Sequence, residues 1–249
     1  MDCWAKCLGN CSDKLSREHL VSKSIFTSND VHVSGLKWGS HETKMVDVDF
    51  LTSNILCTHH NNALSNLDSA AGNVFTVFRE SVQLMNKRRN LPRPKYQVIS
   101  FSINAKKLER WLLKTLINLT FDKGVYIGMD STLAGYPSDE LVEICFGESE
   151  FSGKAGMYFS SKTGTQMSFR DSFSFCPLFK DGKYVVGGFF VLYGSSFYLS
   201  LQPETSEFPL PRIESTMAEW RDGELSKPFR VMRLKIDDVL SHIIRFNWS

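Results

Sequence analysis

The sequence predicts an α+β protein, with a zinc-stapled N-terminal finger followed by an α+β domain built on a mainly antiparallel sheet. Three observations predict it. Paired cysteine and histidine half-motifs crowd the first quarter of the chain, Cys3-Trp-Ala-Lys-Cys7 and Cys57-Thr-His-His60, with Glu18-His19 between them. Two stretches with helical periodicity follow, and beyond residue 141 the text turns strand-like and rich in Phe and Tyr.

Composition sets the frame. A chain of 249 residues that is 42% hydrophobic can bury a real core, as one large domain or two small ones. The net charge of +2 says little about partners. Of the six cysteines, Cys3, Cys7, Cys11 and Cys57 cluster early while Cys145 and Cys176 stand apart, which looks like metal binding rather than a disulfide framework. The start of the chain has no apolar stretch of signal-peptide type, and the longest apolar run, Val185 to Tyr193, is too short to span a bilayer. The expectation is a soluble, cytoplasmic protein with no membrane partner.

Taken in order, residues 1–25 read as a metal knuckle and a short hairpin, because Leu15, His19, Val21 and Ile25 roughly alternate with polar positions. Residues 27–53 scatter Ser, Asn, Asp, Thr and Gly and read as loop. From Asn61 a helix is expected, since Leu64, Leu67, Ala71, Val74, Phe75, Phe78, Val82 and Met85 recur at three- and four-residue steps. Gly72 weakens its middle, and Leu91-Pro92-Arg93-Pro94 ends it near Asn90, because proline cannot continue a helix. That stretch is also the expected domain boundary, dividing the chain into 1–90 and 91–249. A strand is expected at Tyr96–Ile103. A second helix, from about Ala105 to Phe121, carries Leu108, Leu112, Leu116 and Leu119 on one face. Strands follow at Leu141–Phe146, Ala155–Ser160, Gln166–Phe175, Tyr184–Tyr193 and Ser196–Leu201, with turns at Asp181-Gly182 and Gly194-Ser195. Pro203 to Pro211 reads as a loop, and a last strand, Phe229–Ile236, leads into a short terminal helix.

The early motifs carry the chemistry. Cys57-x-x-His60 has the spacing of a knuckle ligand pair, with His60 better placed than His59. The other pair is Cys3 with Cys7, or Cys7 with Cys11 at equal spacing; Gly9 just after Cys7 favours the former. The expected structural zinc site is therefore Cys3, Cys7, Cys57 and His60, closed by protein ligands. Glu18 and His19 pair a hard-metal ligand with a proton acceptor, and as neighbours on a strand they point to opposite faces. On the second helix Lys106, Lys107, Arg110 and Lys114 share a face and suit contact with nucleic-acid phosphates, while Trp111 belongs to the core.

The order Cys-x(2–4)-Cys, Glu-His, Cys-x-x-His-Asn-Asn and then a helix resembles the HNH nucleases, which carry a ββα-metal, or treble-clef, finger. The resemblance covers about residues 1–80. It implies an endonuclease that hydrolyses phosphodiester bonds in DNA, with a role in restriction or phage defence. His19 matches the general base and Glu18 a ligand of the catalytic Mg²⁺ or Mn²⁺ ion. Asn61 or Asn62 matches the polar positions on the first helical turn, with Asn62 as the second ion ligand. Asn54 matches the residue that orients the His19 imidazole. The rival reading is a non-catalytic zinc finger that binds nucleic acid or protein. For residues 91–249 a target sequence, a modified base, a partner protein or a second copy in a homodimer all stay open.

Overall fold

A computed structural model describes residues 3–35, 43–91, 97–161, 171–193, 195–203, 224–226, 231–236 and 239–249. Its elements in chain order are β1 (Leu15–His19), β2 (Asp30–Ser34), β3 (Lys44–Asp47), β4 (Thr52–Cys57), α1 (Thr58–Arg89), β5 (Ile99–Asn104), α2 (Ala105–Thr120), β6 (Tyr126–Ile127), α3 (Asp139–Phe146), β7 (Gly156–Ser161), β8 (Ser172–Lys180), β9 (Tyr184–Leu192), β10 (Ser195–Ser200), β11 (Glu224–Ser226), β12 (Val231–Ile236) and β13 (Val239–Asn247). The fold is mixed α and β with mainly antiparallel pairing, and the described residues form three sheets. β1 pairs only with β4. The largest sheet runs β11-β7-β10-β9-β8-β2-β3, with β6 beside β9, and the third runs β12-β13-β5. β2–β8, β6–β9 and β13–β5 are the parallel pairs.

The strand β1 does not make the local hairpin expected from residues 1–25. It pairs antiparallel with β4, His19 opposite Thr52 and Leu15 opposite Cys57, and α1 follows β4 directly. The intervening segment was expected to be loop. It instead sends β2 and β3 to the edge of the large sheet, where Val31 and Val33 alternate inward. Asp30-Val31-His32-Val33-Ser34 does alternate polar with apolar, but over too few residues to stand out among the surrounding Ser, Asn and Gly.

α1 begins where the Cys57 sulfur accepts from the His60 N–H, and Asn90 caps its end. Gly72 does more than weaken the helix. A Cβ there would stand 3.1 Å from Ser24, because the turn at Lys23–Ile25 packs onto α1 at that point. α2 starts at Asn104, whose side chain accepts from the Lys107 N–H at 2.8 Å. Every residue from Trp111 to Thr120 is buried, so α2 is a central helix and not one with a solvated face.

Two further elements differ from expectation. Leu141–Phe146 is helical: Asp139 and Glu140 occupy the first turn of α3, and Gly147 ends it in the left-handed region at φ 86°. A short apolar run fits strand or buried helix equally well, and these end signals decide. The C-terminal segment is not helical, because β13 pairs with both β12 and β5. The Asp181-Gly182 turn is as expected, with φ of 54° and 63° between β8 and β9. Ser195, expected in a turn, instead opens β10 and pairs with Leu192; Tyr193 before it has φ 51°, and Gly194 lies outside the described residues. The proline stretch at 92–94 and most of 203–211 lie outside the described residues. One apolar cluster contains Trp4, Phe75 and Phe78 together with Trp111, Phe190 and Phe246.

Candidate metal centre

The N-terminal segment, the end of β4 and the first turn of α1 meet at Cys3, Cys11, Cys57 and His60. Their ligand atoms all lie within 4.8 Å of one another. The His60 Nδ1 is 3.4 Å from the Cys3 sulfur, 3.7 Å from that of Cys11 and 3.3 Å from that of Cys57. A tetrahedral zinc ion with sulfur at about 2.3 Å and nitrogen at about 2.0 Å sets sulfur–nitrogen edges of about 3.5 Å, so the four residues fit the ion without rearrangement. Cys3, Cys57 and His60 are buried, and Cys11 closes the site from outside.

Cys11 takes the place expected for Cys7. Cys7 lies in a short 3₁₀ turn at Lys6–Leu8, is exposed, and hydrogen-bonds the Asp139 carboxyl. Partial burial and the Asp139 charge push its thiol up to about 11. Gly9 and Asn10 then adopt φ of 73° and 52°, and this left-handed pair folds the chain back so that Cys11 reaches His60. The signal was present in the sequence as a Gly-Asn turn immediately before Cys11. The site is built elsewhere as expected. The Trp4 N–H donates to the Ile55 carbonyl at 3.0 Å, and the Ser12 hydroxyl meets Thr58 at 2.7 Å and accepts from the His59 N–H at 3.2 Å. The Phe146 ring of α3 covers His60 edge-on at 5.4 Å.

The electrostatics suit a soft cation. Burial pushes the Cys3 thiol up to about 12. It opposes the Cys57 thiolate too, but hydrogen bonds from the His60 and Ser12 backbones, the Ser12 hydroxyl and Cys3 outweigh it and bring that thiol down to about 7. Burial and then the neighbouring His59 lower the pKa of His60, keeping the ring neutral as a ligand must be.

The polar residues of β1 divide between two faces. Glu18 turns inward and is only 5% exposed. Its carboxylate lies 2.7 Å from the Lys114 ammonium, which also touches Asp68 of α1 at 2.8 Å. Around this triad Trp111 donates to Ser22 at 2.7 Å, Ser22 donates to Asp68, Asn118 donates to Glu18 at 3.4 Å, and Trp4 donates to Asn118 at 3.0 Å. Burial raises the Glu18 pKa while the Lys114 charge opposes it. For Lys114, burial is outweighed by the two carboxylates, so the ammonium keeps its proton. Glu18 is therefore closed to a catalytic ion, and Lys114, being buried, is withdrawn from any phosphate.

His19 points to the opposite face and is half-buried, its side chain 33% exposed, while its Nε2 is itself buried and lies 3.6 Å from the Asp49 carboxylate. Lys23 holds the same carboxylate at 2.8 Å, which with the His19 ring keeps Asp49 below the usual carboxylate range. Arg17 donates to the Asp49 carbonyl at 3.0 Å and to the Thr52 hydroxyl at 2.9 Å. Asp49, which no motif singles out, is the acid that stands beside His19. Asn54 is exposed on β4, and no hydrogen bond described here joins it to His19. Asn61 donates to the Ser16 hydroxyl of β1 at 2.6 Å, whereas Asn62 beside it is exposed. Of the remaining cations on α2, Lys106 pairs with Glu150 at 2.6 Å and Arg110 donates to the Cys145 carbonyl at 3.0 Å; with Lys107 they flank the start of the helix. The expected four-residue phosphate track is thus interrupted.

No family model, no curated protein and no solved structure matches the chain. Among the described residues no helix is long and apolar enough to cross a membrane.

Proposed function

We propose that the chain is a metal-dependent endonuclease of HNH type that hydrolyses phosphodiester bonds in DNA, with His19 as the general base. The observation that carries this reading is the convergence of Cys3, Cys11, Cys57 and His60 at the junction of β4 and α1. A zinc ion there would pin the β1–β4 ribbon to α1 and hold the half-buried His19 at its rim. His19 takes the proton from the attacking water at Nδ1, because its Nε2 is buried on the side of Asp49, which orients the ring and stabilises its charged form. Arg17 and Lys23, on the same rim, meet the phosphate.

The hard-ion ligand passes from Glu18 to Asp49 in this reading. The Lys23–Asp49 pair is half-exposed and screened by solvent, so an incoming cation displaces it. The buried Lys114–Glu18 pair is far harder to open, because parting it strands a charge in the core. A Mg²⁺ or Mn²⁺ ion, when bound, neutralises the phosphate and stabilises the leaving alkoxide.

One observation favours the second reading, a zinc finger that binds without cutting: the lysine lock on Glu18. A cleavage assay with Mg²⁺ or Mn²⁺ on supercoiled plasmid and on single-stranded circular DNA, run beside zinc analysis, separates the two. The wild type should cut at least one of these DNAs, and His19→Ala should lose at least about a hundredfold of that rate while keeping its zinc. A folded, zinc-loaded wild type that leaves both DNAs intact would overturn the nuclease reading and leave the binding module.

A further inference from the structure

Phe50 is 76% exposed, an unusual position for the ring of a large aromatic residue. It is also firmly held. Its 3₁₀ turn, Val48–Phe50, is capped by the Asp47 carboxylate, which accepts from the Asp49 N–H at 2.8 Å. The Leu51 N–H donates to the Val48 carbonyl at 3.0 Å, and both Val48 and Leu51 are buried. The backbone on either side of Phe50 is anchored in the core, while the ring itself is turned to solvent.

The company it keeps is specific. Asp49, the adjacent residue, touches His19 and Lys23, and its carbonyl accepts from Arg17. Those Arg17 bonds go to neutral oxygens of Asp49 and Thr52, so they leave the guanidinium charge unneutralised. Lys23 shares its charge with Asp49, but on the exposed side of the turn. An exposed aromatic ring on a held turn, whose neighbouring residue Asp49 gathers an imidazole, an ammonium and a guanidinium, suits the alternation of base and phosphate along an unpaired nucleic-acid strand. Phe50 stands between the charged Asp49 and the buried Leu51, so neither chain neighbour extends its apolar surface.

We propose that Phe50 is a stacking platform for an unpaired nucleobase next to the phosphodiester that His19 addresses, which makes the substrate a DNA strand with unpaired bases rather than a regular duplex. This rests on the nuclease reading and adds the substrate's form to it. Stacking on one aromatic ring changes affinity by on the order of tenfold or more, with little dependence on base identity.

The test uses the full zinc-loaded chain, with Ca²⁺ replacing Mg²⁺ to hold off cleavage, and measures anisotropy of a labelled single-stranded oligonucleotide and of its duplex. Wild type should prefer the single strand, Phe50→Ala should bind it at least tenfold more weakly with an unchanged salt slope, and Phe50→Trp should restore binding and show quenched emission on it. If Phe50→Ala binds as the wild type does while His19→Ala still abolishes cleavage, the stacking role is wrong and the nuclease reading stands. If the wild type binds neither oligonucleotide, both fall. If Phe50→Ala instead removes self-association in sedimentation, the ring belongs to an interface between copies and the proposal is overturned.

Discussion

Two buried clusters on the same N-terminal elements meet one problem with opposite solutions. At the junction of β4 and α1, three thiols and an imidazole face one another with no positive group of their own. Beneath β1, two carboxylates face one another, and Lys114 supplies an ammonium 2.7 Å from Glu18 and 2.8 Å from Asp68. The first cluster could hold a cation from outside; the second carries its own. The difference teaches why acidic residues close together need not be a metal site. A buried lysine with two good partners fills the place of an ion and cannot be washed out. His242 shows a third solution. It is fully buried, and burial together with the neighbouring Arg88 charge lowers its pKa to about 4, so it stays neutral.

The largest effect should come from removing the outside cation. Metal analysis should find one zinc per chain. Stripping it, or making Cys57→Ser, should unfold the finger, since structural zinc contributes about 10 kcal/mol or more, comparable to the whole stability of a domain. Cys7→Ser should retain the zinc and Cys11→Ser should lose it under mild chelation; the reverse result would return Cys7 to the site.

The internal cation should matter less, but still severely. Lys114→Met leaves two carboxylates without their counter-charge and should cost about 3–5 kcal/mol in urea unfolding, with part recovered when Glu18→Gln is added. A loss below about 1 kcal/mol would mean that water reaches the triad, and the contrast between the clusters would dissolve.

The smallest effect is the pH response of the neutral solution. With its folded pKa near 4 against an ordinary 6.5, His242 binds its proton first in the unfolded chain as pH falls. Its contribution is therefore complete above about pH 6.5 and is lost progressively down to about pH 4, some 3 kcal/mol in all. His242→Leu should flatten the stability curve over that interval, and an unchanged slope would show that other groups govern it.

Much of the fold could be read before any coordinates. The period of Leu64, Leu67, Ala71, Val74, Phe75 and Phe78 placed α1, and Asp181-Gly182 placed the β8–β9 turn, because helix period and turn chemistry are local properties of the chain. The same holds for Cys3, Cys57 and His60, whose residue types already state what they can bind. Partner choice was not legible. That β1 pairs with a strand more than thirty residues later, that the Gly9-Asn10 turn delivers Cys11 and leaves Cys7 outside, and that α2 runs through the core and carries Lys114 inward are all results of long-range packing. A lysine reads the same in sequence whether it meets water or two carboxylates; only the desolvation around it, which the whole fold creates, separates a surface cation from an internal one.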